Sequence, residues 1–214
     1  MKVHCIPGVA ADARFLSRLR IGVPFHVLEL PDLPEGATIR DQAEELLKAI
    51  DPTEKNVLIG VSMGGMIAQE IANMIAVDRV IIISSWKGPE EMPVALKVLR
   101  GTHPERVLNP KFIDRILPLL YWQMGAEHED DRELVRSFAR DTSVEKIRMQ
   151  LNASLNWNGP EKPVDRLVHI HGDNDHLMPI AHIKKPIVVA GGGHIMVYNK
   201  ADQVSAIIKQ HLSE

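Results

Sequence analysis

The sequence predicts an α/β protein, a doubly wound, mostly parallel six-stranded sheet carrying an inserted helical cap. Six short apolar runs, rich in Val and Ile and bounded by Gly, Pro, Asn or Asp, read as strands at residues 3–6, 25–30, 56–61, 80–84, 167–171 and 187–190. Residues 12–19, 39–50 and 66–76 carry apolar side chains at helical spacing between them, and 199–212 does so at the end. Strands alternating with helices mark a parallel sheet covered on both faces. Only 86–163 breaks the alternation: its pattern is helical, punctuated by Pro89, Pro93, Pro104, Pro110, Pro118 and Pro160, with no convincing strand. That gap is too long for one crossover helix. Residues 1–85 and 164–214 are therefore expected to form the core, and 86–163 the cap.

Element by element, the local chemistry agrees. Thr38 and Asn199 are expected to cap the helices that follow them, since each offers a side-chain oxygen to unpaired first-turn amides. The apolar stretch 57–77 approaches the roughly 20 residues of a membrane span. However, it contains a hinge at Gly60, Gly64 and Gly65, followed by Gln69, Glu70 and Asn73. It reads as a buried strand turning into a buried helix. The chain has only three Trp, two Tyr and four Phe, yet Trp86, Phe112, Tyr121, Trp122, Phe138 and Trp157 fall in or beside 86–163. A thin helical layer needs large side chains to dock on the sheet. Trp86, Tyr121, Trp122 and Trp157 are also candidates to line an apolar substrate pocket.

Composition narrows the function classes. With 25 basic and 28 acidic residues in 214, the net charge is −3, without the basic surplus that phosphate-backbone binding requires. The 45% hydrophobic content is ample for a buried core. Cys5 is the single cysteine and cannot form an internal disulfide, so no oxidising compartment is called for. Pro7-Gly8 interrupts the N-terminus before a signal-peptide core could form, and a cytoplasmic protein is expected.

The chemistry is concentrated in Gly60-Val61-Ser62-Met63-Gly64-Gly65, between the strand at 56–61 and the helix from Met66. So tight a strand-to-helix turn needs small residues two before and two after the serine. It holds the hydroxyl at its tip, above the positive end of the helix. In this setting the chain resembles the α/β-hydrolase superfamily, within its lid-bearing serine hydrolases, over nearly its whole length. That resemblance implies a triad in the order serine, acid, histidine. After the strand at 167–171 comes Gly172-Asp173-Asn174-Asp175, placing the acid at Asp175 with Asp173 as the alternative. After the final strand comes Gly191-Gly192-Gly193-His194, placing the base at His194. An oxyanion hole is implied at the N–H groups of Met63 and Val9. Pro7-Gly8 stands where the family has His-Gly, so Gly8 and Ala10 remain rivals for the second donor. The superfamily's leading hairpin is not expected before the strand at 3–6, so a minimal six-stranded version is expected.

Competing readings attach to several of these residues. His171, Asp173, Asp175 and His176 are metal-ligating types, but four of them crowded into one turn cannot all converge, and no metal or other cofactor is expected. His169 and His171 share one strand face and suit hydrogen-bonded structural roles, while Cys5 suits the core. Hydrolysis of a small carboxylic ester or thioester is the implied reaction, with a small-molecule substrate and no nucleic-acid or membrane partner expected. Proline peptidases of the fold usually carry Trp where Met63 stands, and its dehalogenases and epoxide hydrolases use an aspartate at position 62. A carbon–carbon hydrolase, an acyltransferase or a non-catalytic binding protein on the same scaffold remain as alternatives.

Overall fold

Asn-Val-Leu-Ile-Gly-Val has no polar face, and it forms the central strand, β3 (Asn56–Val61), every residue of which is buried. The computed structural model describes residues 1–213. Around β3 stand β1 (Lys2–Ile6), β2 (His26–Val27), β4 (Arg79–Ile83), β5 (Leu167–Gly172) and β6 (Ile187–Val189), in the order β2-β1-β3-β4-β5-β6. All neighbouring pairs are parallel. Strand alternation divides the apolar side chains between two layers. Val57, Ile59, Val61, Ile81 and Ile83 join one core, and Leu58, Val80 and Ile82 join the other.

The helices are α1 (Ile39–Leu47), α2 (Met63–Met74), α3 (Val94–Val98), α4 (Pro110–Met124), α5 (Glu129–Asp141), α6 (Val144–Asn156), α7 (Met196–Asn199) and α8 (Ala201–Leu212). Ile39, Ala43 and Leu46 of α1 and Met63, Met66, Ile67 and Ile71 of α2 fill one core. Val204 and Ile208 of α8 close the other together with Leu134, Val135 and Phe138 of α5. Between β4 and β5 the described chain is helical and contains no strand. Among the described residues no helix is long and apolar enough to cross a membrane. The stretch 57–77 is β3 running into α2.

Four local expectations need correction. Residues 12–19 make only the 3-10 turn Ala13–Leu16. The spacing of Phe15, Leu16 and Leu19 serves burial, but Ser17 Oγ takes the Arg14 carbonyl and the Arg20 guanidinium takes those of Ser17 and Leu19, which ends the helix. Residues 25–30 pair only at His26–Val27, on the sheet edge between Pro24 and Pro31. Helix α2 begins at Met63 rather than Met66, continuing through two glycines that propensity alone would exclude. Asn199 caps nothing: its Nδ2 donates to Gly125 O and Asp131 Oδ2, and the chain breaks at Lys200 between α7 and α8.

Thr38 does cap α1. Its Oγ1 accepts from Asp41 N at 3.1 Å, and Asp41 Oδ2 accepts from Thr38 N at 2.7 Å, a reciprocal capping box. Thr38→Ala should lower unfolding stability by about 1 kcal/mol, whereas Ile59→Ala in the central strand should cost roughly 2–5 kcal/mol. Urea titrations of the two variants check this ranking.

Candidate active site

Ser62 sits where β3 turns into α2, with φ 55° and ψ −124°, backbone angles that a side chain strongly disfavours. The flanking glycines are required by contact. A Cβ on Gly60 would lie 2.2 Å from Gly64 O, and one on Gly64 would lie 2.1 Å from Ile6 O. Ser62 N donates to Ile83 O at 2.9 Å, and its carbonyl accepts from Gly65 N at 2.9 Å and from Ser85 Oγ at 2.7 Å. Ser62 retains 8% exposure, and α2 starts at the next residue.

Two other strand ends meet this hydroxyl. His194, in the loop after β6, brings Nε2 to 3.0 Å from Ser62 Oγ. Its Nδ1 lies 2.8 Å from Asp175 Oδ2, just after β5. The other Asp175 oxygen accepts from Leu177 N at 3.0 Å and Met178 N at 2.8 Å. Burial pushes the Asp175 carboxyl up. The charge and hydrogen bond of His194, the Met178 amide and His171 outweigh this and hold it below the ordinary carboxylate value. An ionised Asp175 can only accept, so His194 carries its proton on Nδ1 and turns a lone pair on Nε2 toward the serine.

Asp173 faces elsewhere, accepting from Gly191 N at 2.7 Å and so tying the β5 loop to the β6 loop. His176 stacks on Trp122, with ring centroids 4.4 Å apart. Of the four metal-ligating types in this turn, His171 and Asp175 stay together, Nε2 to Oδ2 at 3.6 Å, while Asp173 and His176 point away, and among the described residues there is no group of three or more His, Cys, Asp or Glu that could hold a metal ion.

Beside Ser62, a Cβ on Gly8 would lie 3.0 Å from Ser62 Cβ, so the loop after β1 presses directly on the turn that carries the serine. As the first residue of α2, Met63 has an N–H without an intrahelical acceptor. Of the three rivals for the second donor, Ala10 is committed: its N–H donates to Gln150 Oε1 at 2.8 Å. Because β1 lies between β2 and β3, the order in which strands are added reverses at this crevice, where ligands of doubly wound sheets bind.

The aromatic candidates separate into two places. Trp86 and Trp157 are buried in the core that holds Met63, and Trp157 Nε1 donates to Glu70 Oε1 at 2.7 Å. Tyr121 and Trp122 line a cleft of about 660 Å³ beside the acid loop with Asn174 and His176, and Ser62 is not among its walls. Trp122 is 60% exposed. Cys5 is fully buried, and burial pushes its thiol up to about 12, as befits a core residue. Sequence reasoning missed three residues that bond the loops around Ser62: Ser85, Gln150 and Thr142, whose Oγ1 donates to Ala10 O at 3.1 Å. Only the adjacent pair Ser84-Ser85 at a strand end could have drawn notice, since Thr142 and Gln150 belong to no local pattern.

The profile of the alpha/beta hydrolase family matches residues 3–207, and the chain belongs to that family. A sequence search of curated proteins finds no match. Among solved structures, the chain is similar to a thermophilic esterase from Thermogutta terrifontis at a TM-score of 0.74 and 20% identity, covering 100% of this chain and 89% of that one. A bromoperoxidase from Bacillus anthracis also matches at 0.74, with 15% identity and coverages of 100% and 92%. A lipase-esterase related protein from Clostridium acetobutylicum matches at 0.73, with 15% identity and coverages of 98% and 93%. At such identities these likenesses show the fold.

Below the acid loop lie His169 and His171, their rings edge to face at 5.4 Å. His171 has the structural role expected of it, with Nε2 donating to Met178 O at 2.7 Å. His169 does not: it lies near the Ser85 backbone without a well-formed hydrogen bond. Burial pushes His169 down to about 3 and lowers His171 as well. Unfolded histidines titrate near about 6.5, so below that pH the unfolded chain holds more protons and stability is lost as pH falls. Asp175 contributes in a lower window. Its stabilisation is full above about pH 3.9 and is lost as pH falls through its depressed folded value. The urea midpoint should therefore drop between about pH 6.5 and 4. His169→Gln should make the drop shallower, and an unchanged slope in that variant would refute the assignment.

Proposed function

We propose that the protein is a serine hydrolase that cleaves a small carboxylic ester or thioester through an acyl-enzyme on Ser62. The observation that carries this reading is the hydrogen-bonded series from Ser62 Oγ to His194 Nε2 at 3.0 Å and from His194 Nδ1 to Asp175 Oδ2 at 2.8 Å. Serine is a weak nucleophile until a base takes its proton. As Ser62 Oγ attacks the carbonyl carbon, its proton passes to His194 Nε2, and Asp175 stabilises the imidazolium. The negative oxygen of the tetrahedral intermediate is held by the N–H groups of Met63 and Val9, each worth roughly 3–4 kcal/mol of barrier.

Collapse of the intermediate breaks the ester bond, and His194 returns the proton to the leaving alcohol or thiol. Water, deprotonated by the same imidazole, then hydrolyses the acyl-enzyme. Residues 86–163 act as the cap over this crevice, with Trp86 and Trp157 behind its apolar wall. The name of the Thermogutta terrifontis esterase is in keeping with this chemistry.

Ser62→Ala should leave the fold intact and reduce turnover of p-nitrophenyl esters by at least about 10³-fold. Asp175→Asn should cost about 10⁴-fold by upsetting the histidine tautomer. A series of increasing acyl length reads out the pocket. A fluorophosphonate should modify Ser62 in the enzyme. Absence of labelling, or undiminished turnover in Ser62→Ala, overturns the proposal in favour of a binding role or a different nucleophile.

A further inference from the structure

We propose that Gln150 and Thr142 are positioning residues of the oxyanion hole, so that the helical segment between β4 and β5 sets the hole's geometry as well as covering it. This rests on the serine-hydrolase reading above. The loop after β1 closes in a tight turn, with Ala11 N donating to Gly8 O at 3.1 Å. Val9 and Ala10 occupy its centre, and Ala10 has φ 59°. A positive φ at the third position of such a turn calls for glycine. Alanine here prefers the alternative turn, reached by turning over the Val9–Ala10 peptide and moving Val9.

Two side chains from the helical segment oppose that relaxation. Ala10 N donates to Gln150 Oε1 at 2.8 Å, and Ala10 O accepts from Thr142 Oγ1 at 3.1 Å. Both backbone groups of the strained residue are thus gripped. Gln150 is fully buried, and its Nε2 has no partner among the described residues. A half-satisfied buried amide is unfavourable, and the Oε1 bond to the loop gives a reason for it.

The helix bearing Gln150 is itself fixed at both ends. Lys146 Nζ donates to Leu30 O at 2.8 Å, and Trp157 Nε1 donates to Glu70 of α2 at 2.7 Å. α6 therefore links the two elements that supply the N–H groups, α2 through Trp157 and the β1 loop through Gln150. Their separation is set by one rigid body.

The test compares steady-state kinetics of the full chain on a p-nitrophenyl ester. Gln150→Met removes the acceptor at similar volume. It should lower kcat by about 10- to 100-fold, with KM within roughly threefold, because misplacing a donor weakens the transition state more than the ground state. Adding Ala10→Gly, which tolerates the positive φ unaided, should recover most of the loss. Fluorophosphonate labelling of Ser62 should slow in parallel with kcat. Thr142→Val, at a half-buried site, should show the same pattern more weakly and decides the matter if Gln150→Met does not fold.

A lower melting temperature with kcat unchanged, or no recovery with Ala10→Gly, overturns the positioning role while leaving the serine chemistry standing. A wild-type chain without turnover and without Ser62 labelling overturns both.

Discussion

The constraint on which the structure depends is the backbone of Ser62, held at φ 55° between a buried strand and a buried helix. Such a conformation costs about 1–3 kcal/mol and persists only where its surroundings over-determine it. Here they do. The Ser62 amide is bonded to Ile83, its carbonyl is shared by Gly65 and Ser85, and the missing side chains of Gly60 and Gly64 let α2 back directly onto β3 and β1. Relaxing Ser62 would require moving α2, whose first nine residues are all buried. The strain therefore fixes the hydroxyl, the start of α2 and the contact with the β1 loop together.

The helical segment between β4 and β5 touches each loop that brings a group to the site. Trp122 stacks on His176 beside the acid, and Ile195 N, next to His194, donates to Met124 O at 3.1 Å. A Cβ on Gly193 would lie 2.8 Å from Gly125 Cα, so that loop and the end of α4 approach backbone to backbone. Gln150 and Thr142 grip Ala10. These contacts make the segment part of the frame around the serine, with many anchor points rather than one hinge. Beneath it, Asp175 is held ionised by its histidine and two amides, while burial keeps His169 and His171 neutral under the same loop. The acid loop therefore carries the single negative charge of Asp175, with two uncharged imidazoles beneath it.

The six strands and their direction were legible because each is a short apolar run with its own boundaries, and the Gly-x-Ser-x-Gly turn because its glycines answer a local steric demand. What escaped was set by side-chain bonds to the backbone that periodicity does not register, or by tertiary contact. Residues 12–19 have the helical period, but Arg20 and Ser17 take the carbonyls a helix would need. Asn199 has the chemistry of a cap and spends it on Gly125 and Asp131. The family pattern pointed to Asp175 and left Asp173 as the alternative; their partners, His194 and Gly191, lie in a loop that only the sheet brings near. Gln150 carries no signal at all, since its partner is 140 positions away.

Cys5 lies on β1 between two neighbouring strands, fully buried, with its thiol pushed up to about 12. The native surface is thus blank to maleimides and similar electrophiles, which need an accessible thiolate. A cysteine introduced on any exposed position can carry a spectroscopic tag alone, and modification of Cys5 itself becomes a clock for opening of the sheet. Distances across the crevice can then be followed in solution without first deleting a native thiol.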